Sequence, residues 1–172
     1  MQYYISLPEL AEKPGAVELS QVATLSHQRV PNPVLLELVM NGDDTSAYPP
    51  DELELANIAV ERIGEAIEDA QSLIDGYLRQ RGYKLPFTRV PRLLTTWCRA
   101  ITRYYLHQHR LSVEQNDPIV RDYRDALKLL QQVADGKLSL GVDDTLPSGG
   151  GKPMISTPGR TFSLKTLKDY GQ

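Results

Sequence analysis

The sequence is poor in the residues that usually announce an enzyme or a secreted domain. A single cysteine, Cys98, rules out an internal disulfide, and three histidines (His27, His107 and His109) make a poor ligand set for a metal. No apolar run approaches the roughly 18 residues that a membrane-spanning helix needs, which argues against membrane residence. Neither sign of charge dominates: 19 Lys and Arg against 22 Asp and Glu leave a net charge of -3. That balance argues against a general nucleic-acid binder, although it allows a local basic patch. A Walker-type loop, a dinucleotide fingerprint and a nucleophile elbow are all missing. The opening MQYYISLPELAEK lacks a basic n-region and an apolar h-region, so synthesis and folding in the cytoplasm are the expectation.

What is present is a soluble, helix-forming chain. Its 172 residues suffice for one domain with a genuine core plus an arm, and 41% hydrophobic with 24% charged residues is ordinary soluble usage. Residues 1–50 read as an N-terminal extension of short helical pieces, LPELAEK, AVELSQVATLSHQ and PVLLELVMNG, kept short by Pro8, Pro14, Pro31 and Pro33. From Pro50 the apolar positions Ala56, Ala59, Val60, Ile63, Ile67, Ala70, Ile74, Tyr77 and Leu78 recur at three and four residues. They predict one long helix to about Gln80, with Asp51 as a cap, a local weakening at Gly64 and a stop at Gly82. A second helix is predicted from about Arg92 to His109, with Leu94, Trp97, Cys98, Ile101, Tyr104 and Tyr105 on one face. A third follows Asn116-Asp117-Pro118, turns Tyr123, Ala126, Leu127, Leu130 and Val133 inward, and ends at Gly136. The fold class expected is therefore all-α, a small bundle of one long helix and two further antiparallel helices over residues 51–136. Residues 137–172 are too broken by glycine and proline for a helix and too apolar for a solvated linker. An extended C-terminal arm that seeks a partner surface is expected there, the alternative being an arm folded back on its own helices.

Few residues offer chemistry. GGGK at 149–152 lacks the spacing and the strand-to-helix context of a phosphate cradle and reads as a hinge. His107 and His109 fall on different helix faces and read as surface residues. Asp43, Asp44, Asp143 and Asp144 sit in glycine-containing loops where aspartate favours turns. Glu65, Glu68 and Asp69 read as a solvated face, and Cys98 beside Trp97 as a small buried hydrophobe. No catalysis, cofactor or metal is expected.

The best chemical signal is basic. Arg79, Arg81, Lys84, Arg89, Arg92, Arg99 and Arg103 fall within 25 residues, around the glycine-broken corner IDGYLRQRGYKLPF. Arg92, Arg99 and Arg103, spaced by seven and four, share one face of the second helix. A plain helix end would explain Arg79 and Arg81 through the helix dipole. A face of this kind could also line a channel for nucleic acid or meet an acidic subunit.

Several stretches in order carry a resemblance: Ala66-Ile67-Glu68-Asp69-Ala70, Ile74-Asp75-Gly76-Tyr77-Leu78, Arg81 through Tyr83 with Leu85 and Pro86, then Arg121-Asp122-Tyr123-Arg124-Asp125-Ala126 and Ala134-Asp135-Gly136. The chain resembles the Mu-like phage and prophage head–tail connector proteins over residues 53–141. It departs from their pattern at Gly82, at Phe87 and in a longer segment from Val17 to Pro50. Its end, GRTFSLKTLKDYG, is similar to the family's arginine-aromatic C-terminal motif. The resemblance implies a virion protein of the neck, assembled in the host cytoplasm as a homo-oligomeric ring, expected to be a dodecamer, beneath the portal. Its implied partners are the portal protein, a downstream neck or tail terminator protein and the DNA passing through. Arg79, Arg81, Lys84, Arg92, Arg99 and Arg103 would then border a neighbour or the channel, and Met154, Ile155, Arg160, Phe162, Leu164 and Leu167 of the arm would meet a partner. The rival reading is a small cytoplasmic nucleic-acid-binding or regulatory helical protein.

Overall fold

The computed structural model describes residues 4–25, 27–108 and 117–142. Every regular element among them is a helix, as the periodicity predicts: α1 (Leu7–Leu10), a wide turn over Ala11–Gly15, α2 (Ala16–Val22), α3 (Pro33–Asn41), α4 (Pro50–Arg81), α5 (Arg92–His107) and α6 (Pro118–Ala134).

The local signals explain most boundaries. Asp117 caps α6 by accepting from the Ile119 amide at 2.8 Å, with Pro118 in the first helical position. Gly82 ends α4 in the left-handed conformation at φ 95°, where its amide donates to the Leu78 and Arg79 carbonyls. Gly136, at φ 76°, does the same job just past α6. Gly64 does not interrupt α4, which stays helical for all 32 residues. The cap of α4 differs from expectation. Pro49 holds that position and Pro50 begins the helix, so Asp51 lies in the first turn, where its charge faces the positive end of the dipole. Near the N-terminus, Ser6 and Glu9 form a reciprocal capping box on α1, and Lys13, at φ -151° and ψ 115° before Pro14, breaks the helix that follows.

Helices α4, α5 and α6 pack against one another as an up-down-up bundle. Tyr104, late in α5, stacks on Tyr123, early in α6, with centroids 3.8 Å apart. The Arg81 guanidinium at the end of α4 reaches Gly136 beyond the end of α6, so those two helices run parallel with α5 reversed between them. Leu78, Leu94, Cys98, Ile101, Leu130 and Val133 are fully buried at the centre.

Residues 4–42 are not an extension beside this bundle. Tyr4, Ile5, Leu10, Leu19, Leu36 and Met40 belong to the same buried cluster as Trp97 and Leu130. Geometry requires this. Helix α4 is about 48 Å long, whereas the 16 residues of α5 cover about 24 Å of it. The buried Ala56, Ala59 and Ile63 in the first half of α4 need another cover, and α3 supplies it. The side chain of Arg62 fastens α4 to the end of α2 by donating to the Ala23 carbonyl at 3.1 Å.

The start of residues 137–172 also belongs to the body. Leu138, Leu140 and Val142 pack on the core, and the Leu140 amide donates to the Tyr83 hydroxyl at 3.4 Å. The arm residues Met154, Ile155, Arg160, Phe162, Leu164 and Leu167 lie outside the described residues, as do His109, Asp143, Asp144 and Gly149 to Gly151.

Candidate functional site

The structure sets five of the six basic residues singled out in the sequence in two groups at different places. Arg79, Lys84 and Arg92 are exposed around the connection from α4 to α5, with Arg89 beside them. Arg99 and Arg103 lie further along α5, partly covered by the N-terminal helices. Arg81 joins neither group, because its guanidinium lies against Gly136.

At the corner, Arg79 sits in the last turn of α4 with its side chain 70% exposed, 3.4 Å from Asp75 one turn earlier. The same Asp75 accepts the hydroxyl of Tyr4, whose phenol is raised above its ordinary range by burial and then by that bond. Asp75 thus ties the N-terminal segment to α4 and leaves most of the Arg79 guanidinium to solvent. Arg92 opens α5, a position where the helix dipole disfavours a cation, and no acid in that first turn offsets it. Helix stability therefore gives no reason for Arg92, and among the described residues no carboxylate pairs with Lys84, Arg89 or Arg92.

Arg81 has an intramolecular role. A Cβ placed on Gly136 would lie 2.9 Å from its Nη1 and 3.0 Å from its Cζ. The guanidinium is laid flat over the glycine that ends α6, which joins the two helix ends. It is therefore removed from the outward-facing set.

Arg103 is also committed inside the molecule. Its Nε and Nη2 donate to the two carboxylate oxygens of Glu18 on α2 at 2.5 and 2.7 Å. Those bonds hold its guanidinium above its already high range. His107 joins the group, with Nε2 3.4 Å from Glu18 and Nδ1 2.8 Å from the Arg103 carbonyl, and is an intramolecular contact where a surface residue was expected. Arg99 is half-buried, its Nε enclosed without a hydrogen-bond partner among the described residues. It lines a cleft of about 500 Å³ with Lys13, Glu18, Trp97, Asp122 and Asp125. The shared helix face of Arg92, Arg99 and Arg103 is real in register, but α1 and α2 cover its second half. Glu18 is the residue that sequence reasoning missed. It lies 85 positions from Arg103, and no local spacing links them.

Two further features complete the chemistry. Cys98 is buried beside Trp97, and burial pushes its thiol up to about 12. Tyr105, next to the Tyr104–Tyr123 stack, is pushed up to about 12, first by burial. Among the described residues no group of three or more His, Cys, Asp or Glu could hold a metal, and no helix is long and apolar enough to cross a membrane.

A family model described as "Bacteriophage Mu, Gp36" matches residues 4–156, so the match includes the N-terminal helices as well as the bundle. The chain is 37% identical over 112 residues to the Mu-like prophage FluMu protein gp36 of Haemophilus influenzae, covering 63% of this chain and 75% of that one. It is 37% identical over 104 residues to Gene product J of Escherichia phage Mu, covering 59% and 70%. With this match spanning the core that α1 to α6 build together, the chain belongs to the bacteriophage Mu Gp36 family and is a Mu-like phage protein.

Proposed function

We propose that this protein is a structural component of the virion, a head–tail connector that forms a ring below the portal and links the DNA-filled capsid to the tail. The observation that carries the proposal is the corner of exposed cations, Arg79, Lys84, Arg89 and Arg92, on a rigid helical body that does not need them for its own stability. Membership of a Mu-like phage family makes an assembling particle the natural setting for such a surface. Neighbouring copies in the ring, expected to number twelve, the portal protein, a downstream neck or tail terminator protein and the DNA in the channel are the proposed partners. No catalytic role is proposed.

The test is to mix the purified protein with portal-bearing, DNA-filled heads that lack it and to image the neck by electron microscopy. A ring of added density at the portal vertex is expected. Heads that stay bare while the isolated monomer binds DNA with a steep salt dependence would overturn the connector in favour of a nucleic-acid-binding protein.

A further inference from the structure

The outward face of α4 carries a charge pattern that its own fold does not use. Asp51, Glu54, Glu61, Glu65 and Glu68 are all exposed, at spacings of three, four and seven residues that place them on one face. Arg62 is the sole Lys or Arg between residues 51 and 78, and its guanidinium is turned to the Ala23 carbonyl. None of the ion pairs among the described residues involves these five carboxylates. Like charges one turn apart work against a helix, and although the dipole favours Asp51 in the first turn, no cation among the described residues offsets Glu61, Glu65 and Glu68. Beyond Ser72 and Gly76 the same face turns basic at Arg79, and the corner continues through Lys84, Arg89 and Arg92. Glu65 and Arg79 are about 21 Å apart along the axis, well beyond the screening length of about 8 Å at physiological salt. The corner and the stripe of one copy therefore do not neutralise each other.

We infer that the basic corner of one copy docks on the acidic α4 face of the next, joining copies head to tail through two different surfaces. This rests on the ring proposed above and names the contact that builds it. Two unlike surfaces on each copy generate a closed ring when the rotation closes. A second copy is the occupant because one chain supplies both complementary surfaces. The corner cations therefore face a neighbouring protein rather than the channel.

The test compares four full-length chains by sedimentation velocity at low and high salt, with circular dichroism confirming the fold of each. They are the unmodified chain, a corner variant (Arg79→Glu, Lys84→Glu, Arg92→Glu), a stripe variant (Glu61→Lys, Glu65→Lys, Glu68→Lys) and the chain with all six changes. The unmodified chain is expected to self-associate at low salt, and each triple variant to do so at least about tenfold more weakly. An equimolar mixture of the two triple variants, and the chain with six changes, should recover association. A monomeric unmodified chain at low salt, a mixture that does not recover, or assemblies that stop at two copies would each overturn the inference. So would association that survives reversal of the corner but is lost when residues 143–172, with Lys152, Arg160, Lys165 and Lys168, are removed. Headless and filled-head assays separate the two proposals. Rescue in solution with heads that refuse the unmodified protein sinks the connector and leaves the contact standing. Heads that take up the corner variant as a normal ring sink the contact and leave the connector standing.

Discussion

Replacing Arg103 by alanine should lower stability without touching assembly, and the structure sets the size of the effect. The guanidinium makes two charge-assisted hydrogen bonds to Glu18, and the side chains of the pair are 32% and 27% exposed. A fully exposed ion pair is worth about 0.2–1 kcal/mol, whereas breaking a fully buried one costs about 3–5 kcal/mol. Intermediate exposure with bidentate geometry places the single substitution at about 2–3 kcal/mol and the coupling to Glu18 at about 1.5 kcal/mol. At about 2–4 °C per kcal/mol for a chain of this size, the midpoint should fall by about 4–12 °C. Thermal or urea unfolding of Arg103→Ala, Glu18→Ala and the double variant gives the coupling as a double-mutant cycle. Arg103→Lys should recover less than half of it, since an ammonium cannot reproduce the fork. A coupling below about 0.5 kcal/mol would refute the reasoning. So would an Arg103→Ala protein of unchanged stability that fails to enter particles, because the residue would then be facing a partner.

The pair of Gly136→Ala and Gly42→Ala separates backbone strain from the Arg81 contact. Both positions have φ 76°, but only Gly136 has a neighbour within 4 Å, the mobile end of Arg81. Each should cost about 1 kcal/mol, because the guanidinium can move aside, and a difference above about 1 kcal/mol in chemical denaturation would show that it cannot. Leu36→Ala should cost about 2–5 kcal/mol and leave a single unfolding transition, as expected of a residue in the common core; two separate transitions would mark α3 as an independent extension. The alkaline limb of stability follows from the buried thiol. The Cys98 pKa rises on folding from its ordinary 9.0 to about 12, so the folded state holds its proton where the unfolded state has lost it. Its contribution is complete below about pH 9 and is lost as pH rises towards about 12, with Tyr4 and Tyr105 acting in the same direction at higher pH. Cys98→Ala should flatten the fall in denaturant midpoint between pH 8.5 and 10, and an unchanged slope would assign that fall elsewhere.

The bundle was legible because burial has a period. Leu94, Trp97, Cys98 and Ile101 on α5, and Ala126, Leu130 and Val133 on α6, recur at helical spacing and are buried as expected. Punctuation was legible for the same local reason: Asp117-Pro118 opens α6, and Gly82 and Gly136 take the left-handed conformations that end α4 and α6. The N-terminal pieces were misjudged because each is short and broken by proline. Their need to be buried shows only once the mismatch in length between α4 and α5 is known. Arg103 and Arg81 were misjudged because their partners, Glu18 and Gly136, are distant in sequence, and neither spacing nor composition signals such pairs.

That distinction changes what the basic corner means. Seven cations close together in sequence suggested one surface, and the fold uses at least two of them internally, with Arg81 laid over Gly136 and Arg103 forked onto Glu18. A third, Arg99, is enclosed in the cleft. The remainder, Arg79, Lys84, Arg89 and Arg92, stay in water, where surface charges contribute little to stability even when paired, as Arg79 is with Asp75. Arg92 even opposes the dipole of the helix it begins. The carboxylates along α4 show the same imbalance with the opposite sign. Arg79 and Asp51 are eased by their helix ends, but Lys84, Arg89 and Arg92 and the middle of the stripe gain little from the described residues of one copy, and each group becomes favourable when brought against the other. That reciprocity is the strongest physical reason to look for the next copy.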